Sequence, residues 1–412
     1  MHNSVSLSPA LDSAARHLPI RAGTREFAHT NRALFLGGFS TFALLYCVQP
    51  LMPLFSREFA LTPMQSSWTL SASTGALAIC LLFASALSDS IGRKRLMCFS
   101  LSISALMTIA SALVQSYPQL LVIRTLLGIV LAGLPAVAMA YLGEEIEPSS
   151  LGYSIGLYIG GSAFGGMVGR VATSVLSDFL SWRIAFALIG FAGLLAALEF
   201  WRSLPASKNF RSSKLNQGSF VNGIRSHFRD AGLPWFYCLA FLLMGCFVSL
   251  YNYMSYRLLT PQFDLSQSQV SAIFMMYLMG IFSSVWIGKL ADLFGRRSVL
   301  WAVITVMLTG LLLTLSDLLP LIIAGIALFT FGFFGGHSVA SSWVGRRAQP
   351  PQALASALYL FFYYLGSSLL GSFSGIMWQH YGWGGVVATL AVCLMLSLGV
   401  AIRLRGLPPV TH

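Results

Sequence analysis

Twelve stretches of this chain are each about twenty apolar residues long, and that pattern limits what the polypeptide can become. They cover residues 33–55, 66–88, 96–115, 118–143, 151–177, 182–202, 234–258, 268–291, 298–316, 319–344, 353–378 and 383–403. About 20 apolar residues in a helix cross the hydrocarbon core of a bilayer. Lipid offers backbone amides no partner, so each run must satisfy its own N–H and C=O groups as a helix. A transmembrane barrel would instead alternate over segments of about ten residues. Only 9% of the 412 residues are charged, against about 25% in soluble domains, which excludes an ordinary cytosolic or disordered chain. The expected fold is all-α and integral to the membrane.

Charge sets the orientation. Of 25 Lys and Arg residues, Arg57, Arg183 and Arg257 fall on one side, and Arg124 and Arg170 lie inside spans. The other 20 fall on the side of the two termini, which the positive-inside rule makes cytoplasmic. The formal net charge of +12 is thereby explained without nucleic acid, which would need basic residues gathered on a soluble module. The six cysteines lie in apolar runs with no C-x-x-C spacing, so they read as packing residues rather than disulfides or a metal site.

The longest connection, 203–233, is polar and basic and divides the spans six and six. The expected organisation is a cytoplasmic tail at 1–32, a first bundle at 33–202, this central loop, a second bundle at 234–404 and a tail at 405–412. Internal repetition supports the division. The segment 87–94 (LSDSIGRK) recurs as 290–297 (LADLFGRR), 203 residues later. Leu157, Tyr158, Gly165 and Trp182 recur as Leu358, Tyr359, Gly366 and Trp383, 201 residues later. Parallel six-helix repeats are a transporter plan with the site at mid-depth between the halves.

The repeated loop has a physical reading. A carboxylate at a helix end, Asp89 or Asp292, precedes a tight turn at Gly92 or Gly295, followed by the cations Arg93, Arg296 and Arg297. A carboxylate there can bind the N-terminus of a neighbouring helix. The cations can pair with Glu144 and Glu145 after span 4, making a gate that breaks when the halves rock. The alternative is a basic loop that only sets topology.

These residues closely resemble the major facilitator superfamily, whose signature loop is G-x-L-A-D-x-x-G-R-K/R. Gly288, Leu290, Ala291, Asp292, Gly295, Arg296 and Arg297 match it fully. The first copy departs at Ser85 and Ser90. Arg124-x-x-x-Gly128 is similar to the family's R-x-x-x-G motif, associated with proton transfer. Gly152, Gly161, Gly165 and Gly169 stand in register with the antiporter motif of span 5 as helix-packing glycines. Gly166 replaces its proline and Arg170 its last glycine. The resemblance covers residues 33 to 405. Segments 42–50, 141–146 and 336–343 look like the YnfM-type group of bacterial inner-membrane exporters tied to acriflavine sensitivity. It implies a drug:proton antiporter-like secondary transporter with no cofactor, energised by the proton gradient.

Ionisable groups inside a membrane are functional candidates by default. Arg124 and Arg170 can face a cavity or snorkel outward, and Arg170 could instead pair with Asp178. His337 lies in the inner half of span 10, and an imidazole titrating near 6.5 suits proton exchange. Glu199, near the inner end of span 6, reads as interfacial. Tyr46, Gln49, Tyr158, Asn252, Tyr359 and Tyr363 are candidate cavity-lining residues; aromatic walls with sparse polar groups suit flat organic molecules. No Asp or Glu lies mid-span, which favours anionic or neutral cargo, whereas the family resemblance favours cationic dyes.

The expected function is proton-coupled efflux of a small amphipathic organic compound by alternating access, with the site between spans 1, 4, 5 and 7, 10, 11. Uptake or exchange of an organic anion is the alternative. An integral-membrane enzyme lacks any catalytic motif such as H-E-x-x-H, and a nucleotide-driven pump lacks a P-loop. The expected partners are the lipid bilayer, a small organic substrate and protons, with no nucleic acid, and the chain is expected to be a monomer.

Overall fold

A computed structural model describes residues 18–209 and 217–407, without the side chains of residues 85, 86, 89, 217 and 219. Twelve crossings form two bundles of six. The first bundle comprises α1 (Arg25–Glu58), α2 (Pro63–Ile91), α3 (Arg93–Ser111), α4 (Tyr117–Glu145), α5 (Pro148–Phe179) and α6 (Trp182–Ser203). The second comprises α7 (Leu233–Leu258), α8 (Gln267–Phe294), α9 (Arg296–Leu313) and α10 (Leu319–Arg347), then a helix over Gln352–Arg405. That last helix breaks at Gly382, at φ +58, giving α11 (352–381) and α12 (383–405). Among the described residues nine helices are long and apolar enough to cross a membrane. The broken one makes two crossings. The two outside that set are α3, which opens on three cations, and α5, rich in Gly and Ser and carrying Arg170.

Glycines set the closest helix approaches. A Cβ on Gly161, Gly165 or Gly169 of α5 would lie 2.5, 2.0 or 2.6 Å from the α1 backbone at Phe35, Phe39 and Ala43. In the second bundle a Cβ on Gly366 of α11 would lie 2.0 Å from the carbonyl of Phe241 on α7. Gly165 and Gly366 are the pair separated by 201 residues, so the duplication is visible in the packing. Small residues let helix backbones meet where lipid supplies no hydrophobic drive. Gly152, grouped with the packing glycines by its motif, is exposed, with nothing among the described residues within 4 Å of a Cβ.

Two segments differ from the sequence expectation. The first helix begins at Arg25, capped by Thr24, rather than at 33, and the chain before it pairs Ile20 with the α4–α5 turn. The central loop contains an amphipathic helix over Gln217–Arg229. Phe220, Ile224 and Phe228 recur every fourth residue there; Phe220 meets Phe83 of α2 and Phe228 meets Tyr237 and Phe362. The loop's basic residues mask that period.

Just after this helix Asp230 accepts hydrogen bonds from the amides of Gly232 and Leu233, both at 2.8 Å, and from Arg347 Nε at 2.6 Å. Burial pushes its carboxyl up, but the Arg347 and amide hydrogen bonds outweigh burial and hold it below the ordinary aspartate value of 3.8. A depressed carboxylate stabilises the fold fully above its unfolded value, and the contribution is lost as pH falls through the folded value. Asp230→Asn is therefore expected to cost about 2 kcal/mol at neutral pH, the scale of a hydrogen bond to a charged group. Melting curves of both proteins should converge on acidification below 3.8; a gap that is constant with pH would contradict this role.

Candidate functional site

The first helix is interrupted where the site is built. It runs regularly to Tyr46, turns through Cys47 and Val48, tightens into a 3₁₀ turn over Gln49–Leu51 and resumes at Met52. Pro50 and Pro53 cause this, since neither can donate to the carbonyl one turn back. The break leaves helix-end carbonyls without helical donors, and Arg124 of α4 supplies them. Its Nη1 and Nη2 donate to Leu44 O and Leu45 O at 3.1 and 2.5 Å, and its Nε donates to Thr69 O of α2 at 3.0 Å. A guanidinium suits this place because it fans its donors in one plane and complements a helix C-terminus. One turn on, a Cβ at Gly128 would sit 2.1 Å from Ser73 O, while Ser73 Oγ donates to Arg124 O at 2.7 Å. The Arg124-x-x-x-Gly128 spacing thus joins α4 to α2 and to the break in α1. Arg124 is fully buried.

Arg170 of α5 occupies the seam between the halves. Its Nε donates to Gln49 Oε1 at 2.5 Å and its Nη1 to Gly166 O at 2.6 Å. Its Cζ lies 4.0 Å from the ring centroid of Tyr46 in its own half, and 4.8 and 5.5 Å from those of Tyr277 and Phe274 in the other. Asp178 does not pair with it; that carboxylate accepts from the amide of Ser268 at 3.1 Å. A bare charge at mid-membrane costs ~3 kcal/mol or more. Desolvated ring faces offset about 2 kcal/mol of such a cost. Gln49 also donates through Nε2 to Asn252 Oδ1 of α7 at 2.7 Å, so a chain from Arg170 to Gln49 to Asn252 crosses the seam. The Asn252 amide nitrogen is buried with no hydrogen-bond partner.

Through this layer and on outward, away from the termini, the seam is shut. Thr74 meets Ser368 at 2.7 Å, Ser372 donates to Ser71 at 2.9 Å, Ser56 meets Tyr256 at 2.7 Å, and Gln267 donates to Pro50 O at 2.6 Å. Among the described residues the hydrogen bonds between the halves run from Thr74–Ser368, about one turn to the terminal side of the Gln49–Asn252 bridge, out to Gln267–Pro50. On the terminal side of Arg170 stand Tyr158 and a cluster on α10 and α11. There His337 Nδ1 is 3.0 Å from the Tyr359 hydroxyl, and its ring centroid is 4.7 Å from that of Tyr363. His337 and Tyr363 remain partly exposed.

The whole of this architecture has relatives. A model of the Major Facilitator Superfamily matches residues 34–283 and 254–412. The chain belongs to the major facilitator superfamily. It is 48% identical to the inner membrane transport protein YnfM of Escherichia coli, over 94% of this chain and 93% of that one. To the uncharacterised MFS-type transporter YybF of Bacillus subtilis it is 47% identical, over 92% and 94%. A crystal structure of a bacterial homologue of the human lysosomal transporter Spinster, inward-facing and unoccupied, aligns with TM-score 0.76 at 16% identity. That alignment covers 93% of this chain and 98% of that one. These relatives are transporters and not enzymes, and this chain is a membrane transporter of the same superfamily.

The superfamily's signature loop is built differently in the two halves. Gly92 and Gly295 take φ +95 and +83, the left-handed turn that glycine adopts freely. In the first half Arg93 is bidentate to Glu144 at 2.7 and 3.2 Å and donates to Ser88 at 2.6 Å. That pair joins two loops of one half; it does not bridge the halves. Glu145 instead accepts from Ser207 and from the amides of Lys208 and Asn209, at 2.6 to 2.8 Å, holding the start of the central loop. The residue 203 positions after Glu144 is Arg347, so the second half cannot repeat the pair. There Arg296 turns to Asp292 at 2.8 Å and Arg297 donates to Arg405 O at 2.9 Å. Gly288 has open space around it. The Asp89 side chain lies outside the described residues. Glu199, half-buried at the terminal end of α6, pairs with Arg32 at 2.8 Å.

Sequence reasoning missed the seam serines and the second half's rings against Arg170. Ser67, Ser71 and Thr74 on α2, and Ser368 and Ser372 on α11, are spaced three or four apart. That small-residue stripe was the available signal. Phe274 and Tyr277 carried none, because their partner lies on another bundle.

Proposed function

We propose that this transporter exports a small amphipathic organic compound in exchange for protons, in a bacterial inner membrane, by alternating access. Both termini would lie in the cytoplasm, which the 20 basic residues on that side support. The described conformation is then inward-open. The observation that carries the reading is the contrast across the seam: layered hydrogen bonds close the far side, while His337 and Tyr363 stand partly exposed on the other. The YnfM-type resemblance supports export. No cofactor is needed, and the chain works as a monomer because each half supplies part of one site.

His337 is the proton carrier in this reading. An imidazole is the side chain that exchanges protons near neutrality, and His337 is partly exposed and hydrogen-bonded to Tyr359. Proton and cargo each shift the inward–outward equilibrium, and their coupling is reciprocal. Arg124 supports the cycle by holding the break in α1. The test is transport in proteoliposomes under an imposed pH gradient, with a panel of anionic, neutral and cationic aromatic compounds. His337→Phe is expected to abolish accumulation driven by the gradient while downhill exchange continues. Undiminished accumulation by that variant would remove His337 from the coupling.

A further inference from the structure

Resting on that transport reading, we propose that the cargo is a planar organic anion, and that its anionic group takes Arg170 from Gln49 and so releases the Gln49–Asn252 bridge between the halves. The residue is 1% exposed, and its partners among the described residues are neutral: an amide oxygen, a backbone carbonyl, and the tyrosine and phenylalanine rings of Tyr46, Tyr277 and Phe274. Ring faces alone would suit a cationic cargo. Here the protein's own cation already occupies them, so a second cation entering beside it is repelled. An anion meets the opposite field. It also meets a second donor, because the amide nitrogen of Asn252 is fully buried, unpartnered and bonded through its own oxygen to Gln49. A buried donor left unsatisfied is a standing cost that a ligand acceptor removes.

Arg170 and Tyr46 are both buried, 1% and 4% exposed, so an anion reaches the guanidinium only by moving the Tyr46 ring. Tyr46 covers Arg170 at 4.0 Å, and Tyr277 of the other half stands 4.8 Å from it. A flat ring can stack among these tyrosines with its anionic group toward Arg170. Gln49 cannot hold Arg170 and Asn252 in the same geometry once an anion competes for both. Losing that bridge loosens the first layer of the closed seam, where Ser67 Oγ and Ser372 Oγ stand 3.4 Å apart farther out. Binding of cargo and release of the seam are then one event.

The experiment uses three probes of one shape: 2-naphthoate, 2-naphthamide and 2-naphthylmethylammonium. Binding is read by thermal shift on the purified full chain, and flux in proteoliposomes. Naphthoate is expected to bind at least tenfold more tightly than the amide, with the ammonium weaker still, and Arg170→Gln to lose at least tenfold for naphthoate. In Ser67→Cys/Ser372→Cys, naphthoate should lower disulfide trapping at least twofold, a readout that a purely structural Arg170 would not move. Equal binding of the amide or ammonium, no binding by any probe, or trapping indifferent to naphthoate overturns the proposal, and the probe series on the unmutated protein decides it even if Arg170→Gln fails to fold. Flux of the neutral or cationic compound without naphthoate leaves the transport reading standing and sinks only this one; no flux of any compound under any gradient sinks the transport reading itself.

Discussion

A side chain at Gly165 or Gly366 is expected to stop the corresponding bundle from assembling. A Cβ at either would stand 2.0 Å from a backbone carbonyl oxygen, of Phe39 in the first half and Phe241 in the second. An ordinary van der Waals contact is about 3.4 Å or more, and a backbone cannot swing aside as a flexible side chain can. The helices must therefore part by more than an ångström. In the first bundle Gly161 and Gly169 fix the same ridge against α1, so the displacement spreads along three turns. Overpacking a fitted core costs 1–3 kcal/mol in ordinary cases; for Gly165→Val and Gly366→Val we expect about 3 kcal/mol or more. Gly152→Ala on the same helix is the control. With open space at its Cβ, alanine should be neutral or stabilising by up to about 1 kcal/mol. Melting of the purified variants checks both, and a Gly165→Val protein as stable as Gly152→Ala would refute the packing.

Arg124→Met should be nearly as damaging, for a different reason. It removes donors from Leu44 O, Leu45 O and Thr69 O together. Hydrogen bonds from a charged donor contribute about 1.5–3 kcal/mol each, but removing the buried cation also relieves its desolvation, ~3 kcal/mol on insertion scales. A net loss of about 3 kcal/mol remains, concentrated at the break in α1 beside Gln49. Transport should fail with stability. Arg124→Lys should not rescue it, because one ammonium cannot reach three carbonyls in a plane as the guanidinium fork does. A Met variant that melts like the native protein while losing only its pH dependence would instead make Arg124 a proton-coupling group.

Much of the fold was legible because lipid leaves a helix no alternative, so each apolar run reads as a crossing. The six-and-six division was legible from the repeats at 203 and 201 residues, and Gly165 and Gly366 return as equivalent contacts. Less legible were features that depend on which residues meet across helices. Arg124 and Arg170 look alike in sequence, each a lone cation in an apolar run. Only the fold separates them: one caps a broken helix within its own half, the other stacks on rings from both halves. The gate expected from Arg93 and Glu144 formed as a pair, but inside one half, since the duplication replaced its acid with Arg347 in the other. The linker helix escaped notice because it is short and its four apolar residues, Phe220, Val221, Ile224 and Phe228, sit inside a polar, basic connection.

The central claim is that two rigid halves rock about the Arg170 layer, so that one face closes as the other opens. Gly143 on α4 and Gly345 on α10 are exposed at the terminal face with open space for a side chain. Leu113 and Leu318, exposed 78% and 63%, mark the far face. Spin labels at each pair, in a protein freed of its six native cysteines and reconstituted in liposomes, report the two distances by double electron–electron resonance. On acidification or addition of a transported compound, the account predicts a shorter population for the 143–345 pair together with a longer one for the 113–318 pair. Both distances moving in the same sense, or neither moving under any condition that supports flux, would contradict it.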